Sequence, residues 1–182
     1  MEKFRCFICI DFPDEVVKEV ARVQEILQKT NFSGKLTELE NLHLTLKFLG
    51  EIEENKVELV KERLRKTKFF EMELSLGEVG VFSFNRSPRI VWSKVNGKGI
   101  FELQKEIDNS LNDLFSKEER FMSHLTIARI KYVKDKIGFN NYVKNIKIKK
   151  IKFKISDFKL KKSELKSPWP VYRDLEEFRA NL

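Results

Sequence analysis

Between residues 43 and 49 the chain alternates without a break. His43, Thr45 and Lys47 fall on one side and Leu44, Leu46 and Phe48 on the other, the period-two signature of a half-buried strand. Gly50 is expected to end that strand, and Glu53 to Lys66 has the spacing of a charged amphipathic helix. Upstream, residues 4–11 are almost continuously apolar, as in a buried strand. Pro13 and Asp14 then open a helix with Val16, Val17, Val20, Val23 and Leu27 at helical spacing, which Asn31 to Gly34 breaks. Downstream, Phe70 to Val81 and Arg89 to Val95 predict two strands joined by the Asn85-Arg86-Ser87-Pro88 turn.

The pattern then restarts. Gly97 and Gly99 precede a helix carrying Ile100, Leu103, Ile107, Leu111 and Leu114, and residues 124–130 predict a second short alternating strand. A short helix is expected over 134–145. Residues 146–160 alternate Ile and Phe with Lys, with a bulge expected at Lys149-Lys150, and 170–178 predicts a last strand. Strands and helices mix without regular βαβ periodicity, and no linker stands out. The expected fold class is α+β: one domain over residues 1–182, made of two similar lobes around a mainly antiparallel sheet. Each half would hold a helix, a strand of the first kind and its partners. If the lobes pack about an approximate two-fold axis, residues 43 and 124 face one cleft.

Composition narrows the setting. The 182 residues are 41% hydrophobic, enough for a sizeable core, and carry a net charge of +8, which suits an anionic partner or simply a heavily charged surface. High Ile and Lys with little Gln resembles thermophile usage. Cys6 and Cys9 are spaced C-x-x-C, but on a strand residues three apart face opposite sides, so they read as structural cysteines. Two cysteines and no leader segment place the expected location in a reducing cytoplasm. No run approaches the roughly 20 apolar residues of a membrane span.

The two alternating strands also share a tripeptide. His43-Leu44-Thr45 recurs as His124-Leu125-Thr126, and these are the chain's only two histidines, in a sequence with five threonines. Residues i and i+2 on a strand share a face, so His43 lies with Thr45 and His124 with Thr126. Two imidazoles and two hydroxyls facing a cleft suit in-line displacement at phosphorus. One histidine takes a proton from water, the other gives one to the departing oxygen, and the hydroxyls hold the non-bridging oxygens. No metal or other cofactor is required. Two histidines 81 residues apart fit a zinc site poorly. A Ser-His-Asp triad would leave one of them unused, and no G-x-S-x-G or Walker A pattern is present. The plain alternative is that each imidazole is a half-buried strand residue held by a hydrogen bond.

The stretch Asn41-Leu42-His43-Leu44-Thr45-Leu46-Lys47-Phe48-Leu49-Gly50 resembles the first signature of the 2H phosphoesterase superfamily, and Ser123-His124-Leu125-Thr126-Ile127-Ala128-Arg129 resembles the second. Within it the chain is most similar to the RNA 2′,3′-cyclic phosphodiesterases, also called 2′-5′ RNA ligases. Arg5 to Ile10, Pro88 to Trp92, Lys162 to Leu165 and Pro170 to Tyr172 extend the likeness along nearly the whole length. The resemblance implies a bilobal duplicated fold and hydrolysis of a terminal cyclic phosphate on RNA to a 2′-phosphate. It implies His43 as proton donor, His124 as proton acceptor, Thr45 and Thr126 as phosphate-holding hydroxyls, and Arg129 as a substrate-contacting cation. Ser123 and Trp169 depart from the family's usual Pro and Gly. Arg129 is out of phase with His124 on an ideal strand, and reaches the cleft only if the strand bulges, twists or ends there.

Lys47 shares the His43 face on ideal alternation and is a second candidate substrate contact. Nine lysines between Lys144 and Lys162 read either as an RNA-backbone track or as an exposed strand guarded against aggregation. Trp169 or Tyr172 could stack on a terminal base, whereas core packing suits Trp92. The expected partner is RNA with a 2′,3′-cyclic phosphate end, tRNA halves among the candidates, acted on by a monomer. Ligation through a 2′-5′ bond is the same site run in reverse. A non-catalytic RNA-binding module is the competing class.

Overall fold

The computed structural model describes residues 2–166 and 170–181. Among these, β1 (Lys3–Asp11), α1 (Asp14–Gln28), β2 (Phe32–Leu36), β3 (His43–Glu53) and α2 (Glu54–Leu64) come first. They are followed by β4 (Met72–Phe84), β5 (Ser87–Asn96), α3 (Lys98–Ser110), β6 (His124–Val133) and α4 (Lys136–Lys144). The chain ends in β7 (Lys152–Ile155), β8 (Asp157–Leu165) and β9 (Pro170–Arg179). The fold is α+β with two sheets, ordered β3-β1-β8-β9 and β2-β6-β5-β4-β7, and every strand pairing is antiparallel.

The hydrophobic pattern explains the layers. Val16, Val20, Val23 and Leu27 form the buried stripe of α1, with Asp14 and Glu15 in the first turn where the helix dipole favours them. Ile100, Leu103 and Ile107 do the same for α3. The motif strands pair with β1, buried without a break from Cys6 to Ile10, beside β3, and with β5, buried at alternate positions from Val91 to Val95, beside β6. The lobes are not contiguous halves. β4 follows α2 yet joins the sheet of β5 and β6, while β8 and β9 return from the C-terminal end to complete the sheet of β1 and β3.

Several expectations are corrected. β2 occupies part of the segment taken to be only a helix breaker, because Phe32 to Leu36 find open hydrogen bonds along the edge of β6. Gly50 does not end β3. It takes a φ of +71°, which glycine adopts without strain, and pairing with β1 continues to Glu53. Lys149 and Lys150 precede β7 rather than bulging within it, and the Ile/Phe/Lys run splits at Ser156 into β7 and β8. Asn85 and Arg86, at φ 48° and 59°, make the two-residue turn between β4 and β5. Trp169 lies outside the described residues. No helix among the described residues is long and apolar enough to cross a membrane.

Candidate active site

The two motif strands line one cleft of about 980 Å³, and His43, Thr45, His124 and Thr126 all open onto it. Both strands deviate from ideal alternation at the same place. Opposite β1, Ile8 faces Lys47 and Cys9 faces Thr45, so Leu46 is an extra, unpaired residue. Opposite β5, Val91 faces Ala128 and Trp92 faces Thr126, so Ile127 is extra. These are matching β-bulges, three residues after each histidine. Each inserts one residue and flips the phase of the strand beyond it. On β6 the flip carries Arg129 onto the His124 side, so it lines the cleft. The carbonyl of Ile127 is satisfied by the Thr37 N–H at 2.9 Å and by buried Gln24 Nε2 at 3.1 Å, which pin the bulge to α1 and the segment after β2.

On β3 the same flip removes Lys47 from the role expected of it. Its side chain turns inward, 4% exposed, and donates to Asp108 Oδ1 at 2.5 Å and to the carbonyl of Ser116 at 2.7 Å. Asp108 also accepts from Gln104 Nε2 at 2.8 Å and from the Glu118 N–H at 3.0 Å. Lys47 thus borders the cleft floor with its charge committed to a buried carboxylate. It is not available to a substrate, because a bulge that periodicity cannot reveal sits between it and Thr45.

The imidazoles are held alike. Nδ1 of His43 lies 2.7 Å from the carbonyl of Asn41, and Nδ1 of His124 lies 2.7 Å from the carbonyl of Met122, each two residues upstream. A carbonyl only accepts, so each Nδ1 carries a hydrogen and each Nε2 is left as the nitrogen that gains or loses a proton. Their surroundings differ. His43 sits against Phe7 at 4.9 Å and edge-on to Tyr172 at 5.3 Å, whereas His124 meets the Phe82 ring at 5.2 Å. Phe82 is stacked on Trp92, which places that tryptophan behind the histidine rather than in the opening. Burial holds both imidazoles below the ordinary histidine range, against the opposing pull of their carbonyl partners, and the Arg129 charge adds to the lowering at both.

Behind His43, its register partner Asp11 bonds Lys161 at 2.7 Å and Lys159 at 2.9 Å, and both lysines also reach Asp174. Lys152 and Lys154 pair with Glu73 and Glu71, and Lys162 with Glu164, so much of the lysine-rich segment is engaged with carboxylates on neighbouring strands. Arg5, Arg120 and Arg129 also line the cleft and make no ion pair among the described residues. Cys6 and Cys9 are buried free thiols, and burial pushes Cys6 up to about 11, far from a reactive thiolate. Sequence reasoning missed Phe7, Phe82 and the Asp11–Lys161–Asp174 cluster. Register alone brings these to the histidines.

Comparison with known proteins came out consistently. A family model described as LigT like phosphoesterase matches residues 10–92 and 94–172. An RNA 2′,3′-cyclic phosphodiesterase of Thermotoga maritima is 36% identical over 177 residues, covering 95% of this chain and 94% of that protein. One from Methanocaldococcus jannaschii is 33% identical, covering 96% and 99%. The solved structure of TT0787 from Thermus thermophilus matches with a TM-score of 0.82 at 24% identity, covering 96% and 97% of the two chains. Escherichia coli LigT complexed with 3′-AMP matches at 0.75 with 22% identity over all of both chains.

Proposed function

This chain belongs to the LigT-like phosphoesterases, and we propose that it hydrolyses the 2′,3′-cyclic phosphate at an RNA end, leaving a 2′-phosphate. The observation that carries the chemistry is the matched pinning of both Nδ1 atoms at 2.7 Å, which presents two proton-exchanging Nε2 atoms to one cleft. In the proposed reaction neutral His124 takes a proton from water as its oxygen bonds to phosphorus. Protonated His43 gives its proton to the 3′ oxygen as the P–O3′ bond breaks. Thr45 and Thr126 donate to the non-bridging oxygens, and Arg129 balances their charge. The relatives named for this reaction, similar over nearly their whole length, support the substrate class. The interleaving of the two sheets supports a single domain over the whole chain.

The test is incubation with an oligonucleotide ending in 2′,3′-cyclic phosphate, with EDTA present, and mapping of the product phosphate. A 2′-phosphate is expected. His43→Ala and His124→Ala should each lose at least about 10²-fold in rate. RNA binding with no product, or turnover unchanged in either variant, overturns the assignment.

A further inference from the structure

Helices α1 and α3 bury the same positions. With Val16 laid on Ile100, every buried residue from Val16 to Leu27 falls on a buried residue from Ile100 to Leu111, and Gln24 falls on Asp108. Both are buried polar side chains on faces that pack into the core. Such a group is costly unless its hydrogen bonds are made, and once made they hold the surrounding parts in one arrangement.

The two residues make the same pair of connections. Each holds the segment that leads to its own lobe's histidine, at a residue six before the ring. Gln24 Nε2 donates to the Thr37 carbonyl at 2.7 Å, and Asp108 Oδ2 accepts from the Glu118 N–H at 3.0 Å. Each also reaches the other lobe's motif strand at its bulge. Gln24 Nε2 donates at 3.1 Å to the carbonyl of Ile127, the extra residue of β6. Asp108 Oδ1 accepts at 2.5 Å from Lys47, the residue after the extra Leu46 of β3. A further bond doubles each link: Thr37 N–H to the Ile127 carbonyl at 2.9 Å, and Lys47 to the Ser116 carbonyl at 2.7 Å.

The far ends of these segments carry the carbonyls that hold the imidazoles. Asn41 lies four residues past Thr37, and Met122 four past Glu118. There the chain is held again, by Asn41 Nδ2 on the Pro170 carbonyl and by the Val95 N–H on the Ser123 carbonyl, both at 3.1 Å. Each segment is thus fixed at both ends, and one fixing is on the strand that bears the opposite histidine.

We propose that Gln24 and the Asp108–Lys47 pair are positioning residues for the two imidazoles, each bracing the carbonyl that orients its own lobe's ring against the opposite motif strand. They act through those carbonyls rather than on substrate. The placing of one Nε2 relative to the other is then set by bonds across the pseudo-two-fold, not by each strand alone. This rests on the acid–base reading above and adds what keeps the acid and the base in register.

Isotope-edited nitrogen NMR of the ring atoms tests this independently of turnover, at a pH above both imidazole midpoints, with His43→Gln and His124→Gln for assignment. In the wild type both rings should carry hydrogen on Nδ1. Lys47→Met, and Lys47→Met with Asp108→Leu, should shift His124 toward the other tautomer. His43, four residues from Lys47 on the same strand, should stay as it was. Gln24→Leu should do the reverse. Lys152→Met, which breaks an exposed ion pair with Glu73, should move neither ring. On an oligonucleotide ending in 2′,3′-cyclic phosphate, kcat should fall roughly tenfold or more in Gln24→Leu and in the double variant, with KM little changed. Gln24→Leu removes no charge, so it decides the matter even where the Lys47 variants unfold. Rings that keep their wild-type tautomers, or both rings moving together in either variant, overturn the braces. A wild type that turns over no cyclic-phosphate end overturns the functional reading instead, and the ring-nitrogen pattern still decides the braces.

Discussion

Replacing Lys47 with Met probes the link between the two motif strands. Lys47 sits on β3, beyond the Leu46 bulge, but its ammonium bonds Asp108 on α3 and the carbonyl of Ser116 in the segment that leads to β6. The two side chains are 4% and 6% exposed, so neither charge is shared with water. Removing the ammonium leaves Asp108 with the Gln104 and Glu118 donors but no cation, and leaves the Ser116 carbonyl without its ammonium donor. Breaking a buried pair from one side costs about 3–5 kcal/mol. At about 2–4 °C per kcal/mol for a chain of this size, the midpoint of thermal unfolding should fall by about 6–20 °C. Lys47→Met with Asp108→Leu should lose less than Asp108 stranded alone, because no charge remains buried. Burial pushes the Asp108 carboxyl up, and the Lys47 bond, the Glu118 N–H and Gln104 more than offset that, holding it below the usual range. Stability from a lowered carboxylate is present above its unfolded pKa of about 3.9 and is lost as pH falls through the folded value. The gap between wild type and Lys47→Met should therefore be full at pH 6 and narrow toward pH 3. Urea unfolding followed by circular dichroism across that range measures it. A Lys47→Met variant within about 1 kcal/mol of wild type, or a double variant that loses the sum of the two singles, refutes the argument.

The depressed imidazoles make a second expectation. With both histidines below the usual midpoint of about 6.5, kcat/KM, which reports the free enzyme, should peak on the acid side of that value, and a peak above pH 7 would contradict the burial argument. The kcat profile should lie at higher pH, because bound phosphate favours an imidazolium. Arg129→Ala should lower kcat/KM by about 10–150-fold, the worth of a charged hydrogen bond to phosphate, and should move the optimum upward by relieving both histidines of a like charge. Loss of rate with an unmoved optimum would place Arg129 on the substrate but away from the imidazoles.

The legible part of this chain was its alternation and its repeat. Strand and helix positions followed from apolar spacing, and the histidines and threonines were marked by recurrence on strands whose outward faces were plain. What stayed hidden depends on pairing between distant segments. A bulge is a mismatch in count between two strands, so Leu46 and Ile127 look like any other apolar residue of an alternating run. From that one blind spot come two misreadings: Lys47 was expected to point its charge into the cleft, whereas its ammonium is bonded to Asp108, and Arg129 was given a phase problem the fold removes. β2 was hidden for a related reason. Its five residues alternate weakly, and the edge of β6 orders them. The lysine-rich segment stayed open between an RNA track and a guarded strand because the partners that neutralise much of it, Glu71, Glu73, Asp11 and Asp174, lie on other strands.

The repeat also sets one backbone device in two unequal surroundings. Over ten positions from the histidine onward, β3 and β6 have the same sequence of buried, half-buried and exposed residues. Each has the same bulge and the same carbonyl pin. The side chains hung on equivalent positions differ. Four residues past the histidine, Lys47 reaches through the core to the segment whose Met122 carbonyl orients His124, while Ala128 reaches nothing. Lys47 thus ties β3 to the segment that leads into β6, a tie that Ala128 at the equivalent position of β6 does not make. Around His43 the Asp11 charge opposes those of Lys161 and Arg129, whereas at His124 Arg129 is the charge that acts. The proposed acid and base must respond differently to the arrival of a phosphate. A histidine set among Asp11, Lys161 and Arg129 and one for which Arg129 is the acting charge can do so, although their strands share one bulge and one carbonyl pin.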